Sequence, residues 1–136
     1  MFINMKCKMD NPDVHKIIAY AAFDGSPEGV AKKVQEYILS PKLHFYAWVE
    51  NNAILGICGY DVHDEKVEIL LIAVDEDSRG RGVGSAMVTA LQSEYGKDIE
   101  AETDDDAVEF YRKRGFNTHE FIHETKGKRH TCMLKI

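Results

Sequence analysis

The amino-acid sequence predicts one α/β domain, residues 1–136, built on a mixed central sheet of six to seven strands flanked by about four helices. Three observations lead to this prediction. Apolar residues change between helical and alternating spacing along the chain. Segments of the two kinds interleave instead of forming separate blocks. A length of 136 residues leaves room for a single core, and 44% hydrophobic residues are ordinary for a globular chain.

The first third of the chain is predicted to form a short strand and two helices. The strand lies near residues 2–9. The first helix opens at Asn11 and Pro12, a polar cap followed by a proline. Pro27 begins the second helix, which ends before Pro41. Apolar residues at helical spacing are predicted to face the core in both helices: Val14, Ile17, Ile18, Ala21 and Ala22 in the first, and Val30, Val34, Tyr37 and Ile38 in the second.

The middle of the chain is predicted to form three strands. From Leu43 to Val49 every second residue is apolar and predicted to point inward, which is the spacing of a half-buried strand. Residues 51–52, both asparagine, form the turn into a second strand from Ala53 to Val62. The third strand runs from Val67 to Val74. Its residues from Ile69 onward are all apolar, as in a strand buried on both faces.

A polar, glycine-rich loop, residues 75–84, follows this third strand and leads into a helix. The helix is predicted to end at Gly96, because glycine readily adopts the left-handed conformation that stops a helix. A short strand, Asp98 to Thr103, comes next. The inward face of the helix is predicted to carry Val83, Met87, Ala90 and Leu91.

The C-terminal part is predicted to form one more helix and two strands. The helix begins at residues 104–106, all aspartate, and finishes at Gly115 after three basic residues. Acids at the start and bases at the end both suit the helix dipole. Two last strands, roughly 116–124 and 129–136, flank a turn at residues 126–128.

Charge and cysteine content exclude several classes of protein. A formal charge of −6 argues against a nucleic-acid partner, because proteins that bind nucleic acid usually carry a surplus of basic residues. No apolar run approaches the ~18 residues that span a bilayer, and the N-terminus lacks a secretory pattern, so no membrane partner is predicted. Three widely spaced cysteines without a C-x-x-C motif predict free thiols and a cytoplasmic location. The oligomeric state stays open, a homodimer included.

The glycine-rich loop has the composition of a phosphate-binding element. Free N–H groups in the first turn of a helix converge, and the helix dipole adds positive potential there. Glycine lets the backbone approach a ligand closely, while Arg79 and Arg81 supply charged donors. The alternative is a flexible connector whose arginines pair with the acidic residues 75–77. The loop matches neither the P-loop pattern nor the dinucleotide-binding pattern.

Two motifs in order identify the family that the chain resembles. Arg79-x-x-Gly82-x-Gly84, after a buried strand and before a helix, resembles the acyl-coenzyme A loop of the GCN5-related N-acetyltransferases (GNAT), whose motif is (Q or R)-x-x-G-x-(G or A). The segment from Ala107 to Phe116 resembles the family's A-x-x-F-Y-x-x-x-G-F. One helix and one strand separate the two motifs, as in the family, and together they cover about residues 67–117.

The resemblance implies a fold, a donor and a set of donor-binding residues. Acetyl-CoA would be the acyl donor, with no metal, and a small-molecule or peptide amine would attack the thioester directly. Asp104 stands where the family often has asparagine; a carboxylate can cap its helix but cannot donate a hydrogen bond to the pantetheine. The loop residues that would hold the pyrophosphate are Arg79, Gly80, Arg81, Gly82, Val83, Gly84 and Ser85, and the pantetheine would lie beside Ile72, Ala73 and Val74.

The same resemblance gives candidates for the two proton transfers. Tyr111 occupies the position of the family's general acid, which protonates the departing thiolate; the alternative is a tyrosine that only packs. Glu68, the single ionisable residue of its apolar strand, is the candidate general base; the alternative is an outward-pointing residue paired with Lys66 or with a lysine on a neighbouring strand. A water relay, His63 or His44 could replace it. A non-catalytic acyl-CoA-binding or regulatory domain on the same fold is the alternative function.

A zinc-protease pattern also occurs near the C-terminus. Residues 119–123 read H-E-x-x-H, which binds zinc on a helix, where the two histidines share a face. Here the segment lies in a predicted strand, which would separate His119 from His123 by about 13 Å. That distance is too long for one metal ion, so the sequence predicts two ordinary strand histidines.

Overall fold

One mixed sheet forms the centre of the molecule in a computed structural model that describes residues 1–22 and 24–136. The predicted α/β architecture is confirmed, with seven strands and four helices in this described part. The strands are β1 (Phe2–Asn4), β2 (Leu43–Glu50), β3 (Ala53–Val62), β4 (Lys66–Val74), β5 (Asp98–Thr103), β6 (Asn117–His123) and β7 (Gly127–Leu134). The helices are α1 (Pro12–Ala21), α2 (Pro27–Leu39), α3 (Val83–Tyr95) and α4 (Val108–Arg112).

The order of the strands creates a gap in the sheet. They lie in the order β1-β2-β3-β4-β5-β7-β6, and every neighbouring pair is antiparallel except β4 and β5. The parallel pairing runs only from Lys66 opposite Asp98 to Ile69 opposite Ala101. Beyond Ile69 the two strands separate. On its other side β4 stays paired with β3, with Leu70 as an extra residue in the ladder, a β-bulge.

Helices cover the two faces of the sheet and divide the core into two clusters. Helices α1 and α2 pack on the face formed by β2, β3 and β4, while α3 packs on β3, β4 and β5. Ile17, Tyr37 and Phe45 are fully buried in the first cluster, and Met87 and Leu91 in the second. None of the helices in the described residues combines the length and apolarity that a bilayer crossing requires.

Local turn and cap chemistry explains where the elements end. Asn51 and Asn52 adopt φ angles of 51° and 64°, so they form the left-handed turn between β2 and β3. The side chain of Asn11 caps α1, and that of Ser26 caps α2 by accepting a hydrogen bond from the Gly29 N–H. Gly96 ends α3 with a φ of 60°. These predicted boundaries are confirmed.

Other local predictions are wrong. The first strand ends at Asn4, not near residue 9, because Met5 and Met9 turn into the core around a short 3₁₀ turn. Helix α4 begins at Val108, and residues 104–107 form a turn instead of its first residues. Ile38, predicted to point inward, is 48% exposed, because it lies beside the buried stripe of α2 near the end of that helix. The turn after β6 lies at residues 124–126, two residues earlier than predicted.

The end of β4 also differs from its prediction. An all-apolar run from Ile69 to Val74 predicts burial on both faces, yet Leu70 is 44% exposed and residues 72–74 are only partly buried. The physical reason is the separation from β5, which leaves this part of the strand without a neighbour on one side. The apolar residues therefore line an opening in the sheet.

Candidate active site

A cavity of about 840 Å³ occupies the gap between β4 and β5. One wall is the end of β4, residues 69–74, which continues into the loop at residues 78–80 and the start of α3. The opposite wall is the end of β5 with the following turn, residues 102–104 and 106–107, and part of α4. Residues 20–22 at the end of α1 close a further side. Both sequence motifs therefore contribute to one cavity.

The loop before α3 presents a row of backbone donors. Gly80 and Gly82 have φ angles of 79° and 80°, which favour glycine over other residues. Gly82 is the N-cap of α3, and its carbonyl accepts from the Ala86 N–H at 2.9 Å. The N–H groups of residues 83–85 have no acceptor among the described residues. Such a first turn is an anion-binding arrangement.

The two loop arginines are exposed and are not neutralised by the neighbouring acids. Arg79 Nε donates to the Val74 carbonyl at 3.3 Å, and its guanidinium lies 5.4 Å from the centre of the Tyr20 ring. Asp75, a partner in the connector alternative, instead pairs with Lys16 at 3.4 Å. Asp75 also raises the pKa of Lys16. Arg79 lines the cavity, whereas Arg81 lies just outside it, as does Ser85.

Tyr111 lines the cavity from α4. Its ring packs edge-on between Phe110 and Phe116, with centroid distances of 5.0 and 5.2 Å. The residue is only 5% exposed. Burial is the largest cause that raises the pKa of Tyr111 above its usual value. The hydroxyl thus stays protonated in a dry environment next to the gap.

Asp104 forms the turn that connects β5 to α4. Its side-chain Oδ1 accepts from the Ala107 N–H at 2.9 Å, and its carbonyl accepts from the Val108 N–H at 3.1 Å. Asp104 also lines the cavity. The prediction that Asp104 caps the helix is wrong: Ala107 is the N-cap of α4 and has no side-chain cap, whereas Asp104 stabilises the turn before the helix.

Glu68 lies near the beginning of β4, away from the cavity lining. Its Oε1 is 3.0 Å from His63 Nε2, and Asp61 is the other carboxylate near that ring, at 3.8 Å. Lys66, the alternative partner, pairs with Glu100 at 2.9 Å. Ile69, directly after Glu68, does line the cavity. The structure therefore brings Glu68 together with His63, and neither side chain with Tyr111.

His44, the other candidate base, has a different environment. Its ring stacks on Tyr60 with a centroid distance of 5.0 Å and an interplanar angle of 11°. Burial lowers the pKa of His44, so the imidazole is neutral near pH 7. It lies outside the cavity lining.

Arg114 is a cavity residue that sequence reasoning missed. Its guanidinium lies 3.6 Å from the centre of the Phe110 ring, and Nη1 donates to the Phe110 carbonyl at 2.5 Å. Its Nε is buried without a hydrogen-bond partner. In the sequence, three bases in a row before Gly115 indicate only a helix end, and nothing distinguishes Arg114 from its two exposed neighbours.

The H-E-x-x-H segment forms part of β6, as predicted. His119 lies opposite Thr131 on β7, and His123 lies opposite Gly127. His123 Nδ1 accepts from the backbone N–H groups of Thr125 and Lys126 at 3.1 and 3.2 Å, so this histidine supports the turn. Within the described residues no group of three side chains could hold a metal ion.

We expect zinc chelation to leave the protein unchanged. A structural zinc site contributes about 10 kcal/mol or more to folding, so its removal would lower Tm strongly. The strand geometry of residues 119–123 predicts no such loss after dialysis against EDTA. Elemental analysis of the purified protein and its Tm with and without EDTA provide the measurement. Zinc near one equivalent per chain, with a lowered Tm after dialysis, would contradict the prediction.

Known proteins resemble the chain in sequence and in fold. Residues 12–116 match the model of the family described as Acetyltransferase (GNAT) family. Among curated protein sequences, none is similar enough to match the chain. Three of the solved structures that match are 14–21% identical to the chain and show the fold. They are an acetyltransferase from Thermus thermophilus (TM-score 0.78, 14% identity, 100% of this chain and 96% of that chain), the ribosomal-protein-S18-alanine N-acetyltransferase from Escherichia coli (0.72, 21%, 100% and 93%), and a GNAT family acetyltransferase from Elizabethkingia anophelis with acetyl-CoA bound (0.71, 16%, 100% and 97%).

Proposed function

Because the chain belongs to the GNAT acetyltransferase family, whose members use acetyl-CoA, we propose that it transfers the acetyl group to a primary amine by direct attack. One observation carries the proposal: a single cavity is lined by the glycine-rich loop, by the unpaired end of β4 and by Tyr111. These are the three parts that such a transfer needs, namely a phosphate holder, a guide for the acyl-bearing arm and a proton donor.

Donor binding in this proposal uses backbone groups first. The free N–H groups of residues 83–85 bind the pyrophosphate, and Arg79 and Arg81 add charge-assisted hydrogen bonds. Residues 72–74 of β4 offer strand-edge N–H and C=O groups to the amides of the pantetheine arm. Asp104 accepts hydrogen bonds only, so its contribution to the donor is limited to groups that carry an N–H or O–H.

Over the reaction the amine nitrogen loses two protons and the CoA sulfur gains one. An alkyl ammonium group with a pKa of about 10.4 must become neutral before its nitrogen can attack the thioester carbon. The new C–N bond replaces the C–S bond, the nitrogen then loses a second proton to become a neutral amide, and the departing sulfur takes the proton of the Tyr111 hydroxyl. That second proton, carried through water, restores the Tyr111 hydroxyl. The burial that raises the pKa of Tyr111 also raises the pKa of a thiol in the same cavity. The departing thiolate is therefore basic enough to take the proton from the hydroxyl.

Glu68 is the general base in this proposal and acts through water. Its side chain is 39% exposed, and it is held against the imidazole of His63. The carboxylate is one residue from Ile69, which lines the cavity. A water relay from the amine to Glu68 therefore fits its position better than direct contact. His63 and His44 remain the alternatives for this step.

The acceptor is a small molecule or a peptide with a primary amine, and the compartment is the cytoplasm. Asp104 and Asp106 lie at the cavity beside Glu102, whose carboxylate pairs with Arg129 at 3.1 Å, so the two aspartates are the groups that would attract an ammonium ion. Cys58 and Cys132 are buried free thiols, which persist in a reducing compartment. Both statements extend the family assignment and are part of the proposal.

The proposal is tested by acetyl-CoA consumption with a panel of primary amines, from amino acids and polyamines to N-terminal and lysine peptides. We expect CoA release with at least one acceptor. The variant Gly82→Val tests the donor site, because valine is strained at a φ of 80° and its side chain would obstruct the phosphate. We expect the KM of this variant for acetyl-CoA to rise at least tenfold. Tight CoA binding without turnover on any acceptor would instead support the non-catalytic acyl-CoA-binding or regulatory domain.

A further inference from the structure

We propose that Arg114, at the end of α4, binds the diphosphate of coenzyme A together with the neighbouring first turn of α3. The inference rests on the proposed function, because it assigns a further residue to the same donor site. Arg114 lies after the last turn of α4, lines the cavity, and belongs to neither the loop nor the strand edge that were predicted to hold the donor.

The position of the guanidinium follows from a stack of side chains. Arg114 lies over the Phe110 ring and donates to the Phe110 carbonyl, which fixes its direction. The ring in turn packs against Gly84 in the first turn of α3. A Cβ added at Gly84 would lie 2.5 Å from Phe110 Cε1 and 3.4 Å from Arg114 Nη2. The absence of a side chain at Gly84 therefore lets the guanidinium lie beside the first turn of α3.

The guanidinium of Arg114 has no acidic partner among the described residues. None of the salt bridges among the described residues includes it, whereas Arg112 pairs with Glu109 at 2.6 Å. Burial is the main cause that lowers the pKa of Arg114, and Tyr111 is the group that opposes this shift. The Nε atom is buried and makes no hydrogen bond. A partly buried guanidinium without a carboxylate partner gains a counterion when an anion occupies the cavity that it lines.

The donors around this position suit a phosphate group. The N–H groups of the first turn of α3 and the guanidinium of Arg114 border the same cavity. The planar guanidinium offers parallel N–H donors that match two oxygens of a phosphate group. The diphosphate would then accept hydrogen bonds from the α3 first turn, from the loop arginines and from the Arg114 guanidinium beside that turn.

The test measures the binding of three probes to the intact protein by isothermal titration calorimetry. The probes are CoA, 3′-dephospho-CoA and pantetheine, which lacks phosphate. We expect Arg114→Gln to weaken CoA and dephospho-CoA by the same factor, about tenfold or more, and to leave pantetheine unchanged. Arg112→Gln, at an exposed arginine two residues away, is the matched control and should bind all three probes like the wild type.

The outcomes separate this inference from the proposed function. Wild type that fails to bind CoA overturns both. Wild type that binds CoA while Arg114→Gln binds it equally well overturns only the role of Arg114. A loss confined to CoA and absent with dephospho-CoA overturns the diphosphate assignment in favour of the 3′-phosphate. Arg114→Met keeps the packing on Phe110 without the charge and should show the same loss, so the result does not depend on how the glutamine variant folds. Arg114→Lys should recover part of the affinity.

Discussion

Replacement of Tyr111 by phenylalanine is expected to lower kcat about 100-fold or more while the affinity for CoA stays within about twofold of the wild type. The hydroxyl is the only group that this change removes, and the ring keeps its packing between Phe110 and Phe116. Steady-state CoA release with the best acceptor gives kcat, and titration with CoA gives the affinity.

A matched control and a pH profile make this prediction sharp. Tyr37→Phe removes a hydroxyl from an equally buried tyrosine in the other core cluster and should leave kcat unchanged. Burial raises the pKa of Tyr111 above its usual value near 10, so its proton is retained on the alkaline side. In the wild type, kcat should therefore not fall between pH 8 and about 10. Equal kcat values for Tyr111→Phe and wild type would refute the acid role.

Replacement of Gly59 by alanine is expected to lower the free energy of unfolding by about 2–3 kcal/mol. Gly59 lies on β3 directly beneath Tyr37 of α2. An added Cβ would overlap the Tyr37 hydroxyl and lie 2.5 Å from Cζ and 2.7 Å from Cε1. Tyr37 is only 1% exposed, so its ring has no free space into which to move. Urea denaturation followed by circular dichroism measures the loss.

A double-mutant cycle identifies the cause of that loss. Tyr37→Leu removes the atoms that the new Cβ would meet, so in this background Gly59→Ala should cost less than about 1 kcal/mol. The coupling between the two sites should then exceed about 1 kcal/mol. Additive costs would show that the alanine destabilises β3 itself, by a mechanism independent of the contact with Tyr37.

Local chemistry made the order of elements predictable. The alternation from Leu43 onward indicated β2, and the asparagines at residues 51–52 adopt the positive φ angles that a two-residue turn requires. Caps and glycine stops defined the ends of α1 and α3. In each case the determinant lies within a few residues of the boundary, so the sequence carries it directly.

Features that depend on distant neighbours were not predictable in the same way. Leu70 is exposed because β4 and β5 separate there, and no residue of β4 indicates this separation in the sequence. The early end of β1 depends on Met5 and Met9 finding space beneath α1 and α2. Sequence spacing states which face a residue can occupy, but it does not state whether another element covers that face.

The candidate site also contains residues that the sequence predicted and a residue that it did not. The resemblance to the family's two motifs implied that Gly82 and Tyr111 serve one site, and both residues line the same cavity. Glu68 was selected from its apolar surroundings in the sequence, yet its side chain faces a polar cluster with His63 and Asp61. Arg114 became recognisable only once its unpaired Nε and its stacking on Phe110 were visible.

Because of the gap between β4 and β5, only a short pairing joins the two halves of the sheet. Four residue pairs between these two strands form the hydrogen-bonded connection between β1–β4 and β5–β7 in the described residues. A molecule bound in the gap contacts both β4 and β5 and holds the two halves of the sheet together. Occupancy then stabilises the native sheet by mass action, about 2.7 kcal/mol at a ligand concentration of 100 times Kd. If the acyl donor occupies this gap as proposed, the free energy of unfolding increases with the concentration of the donor.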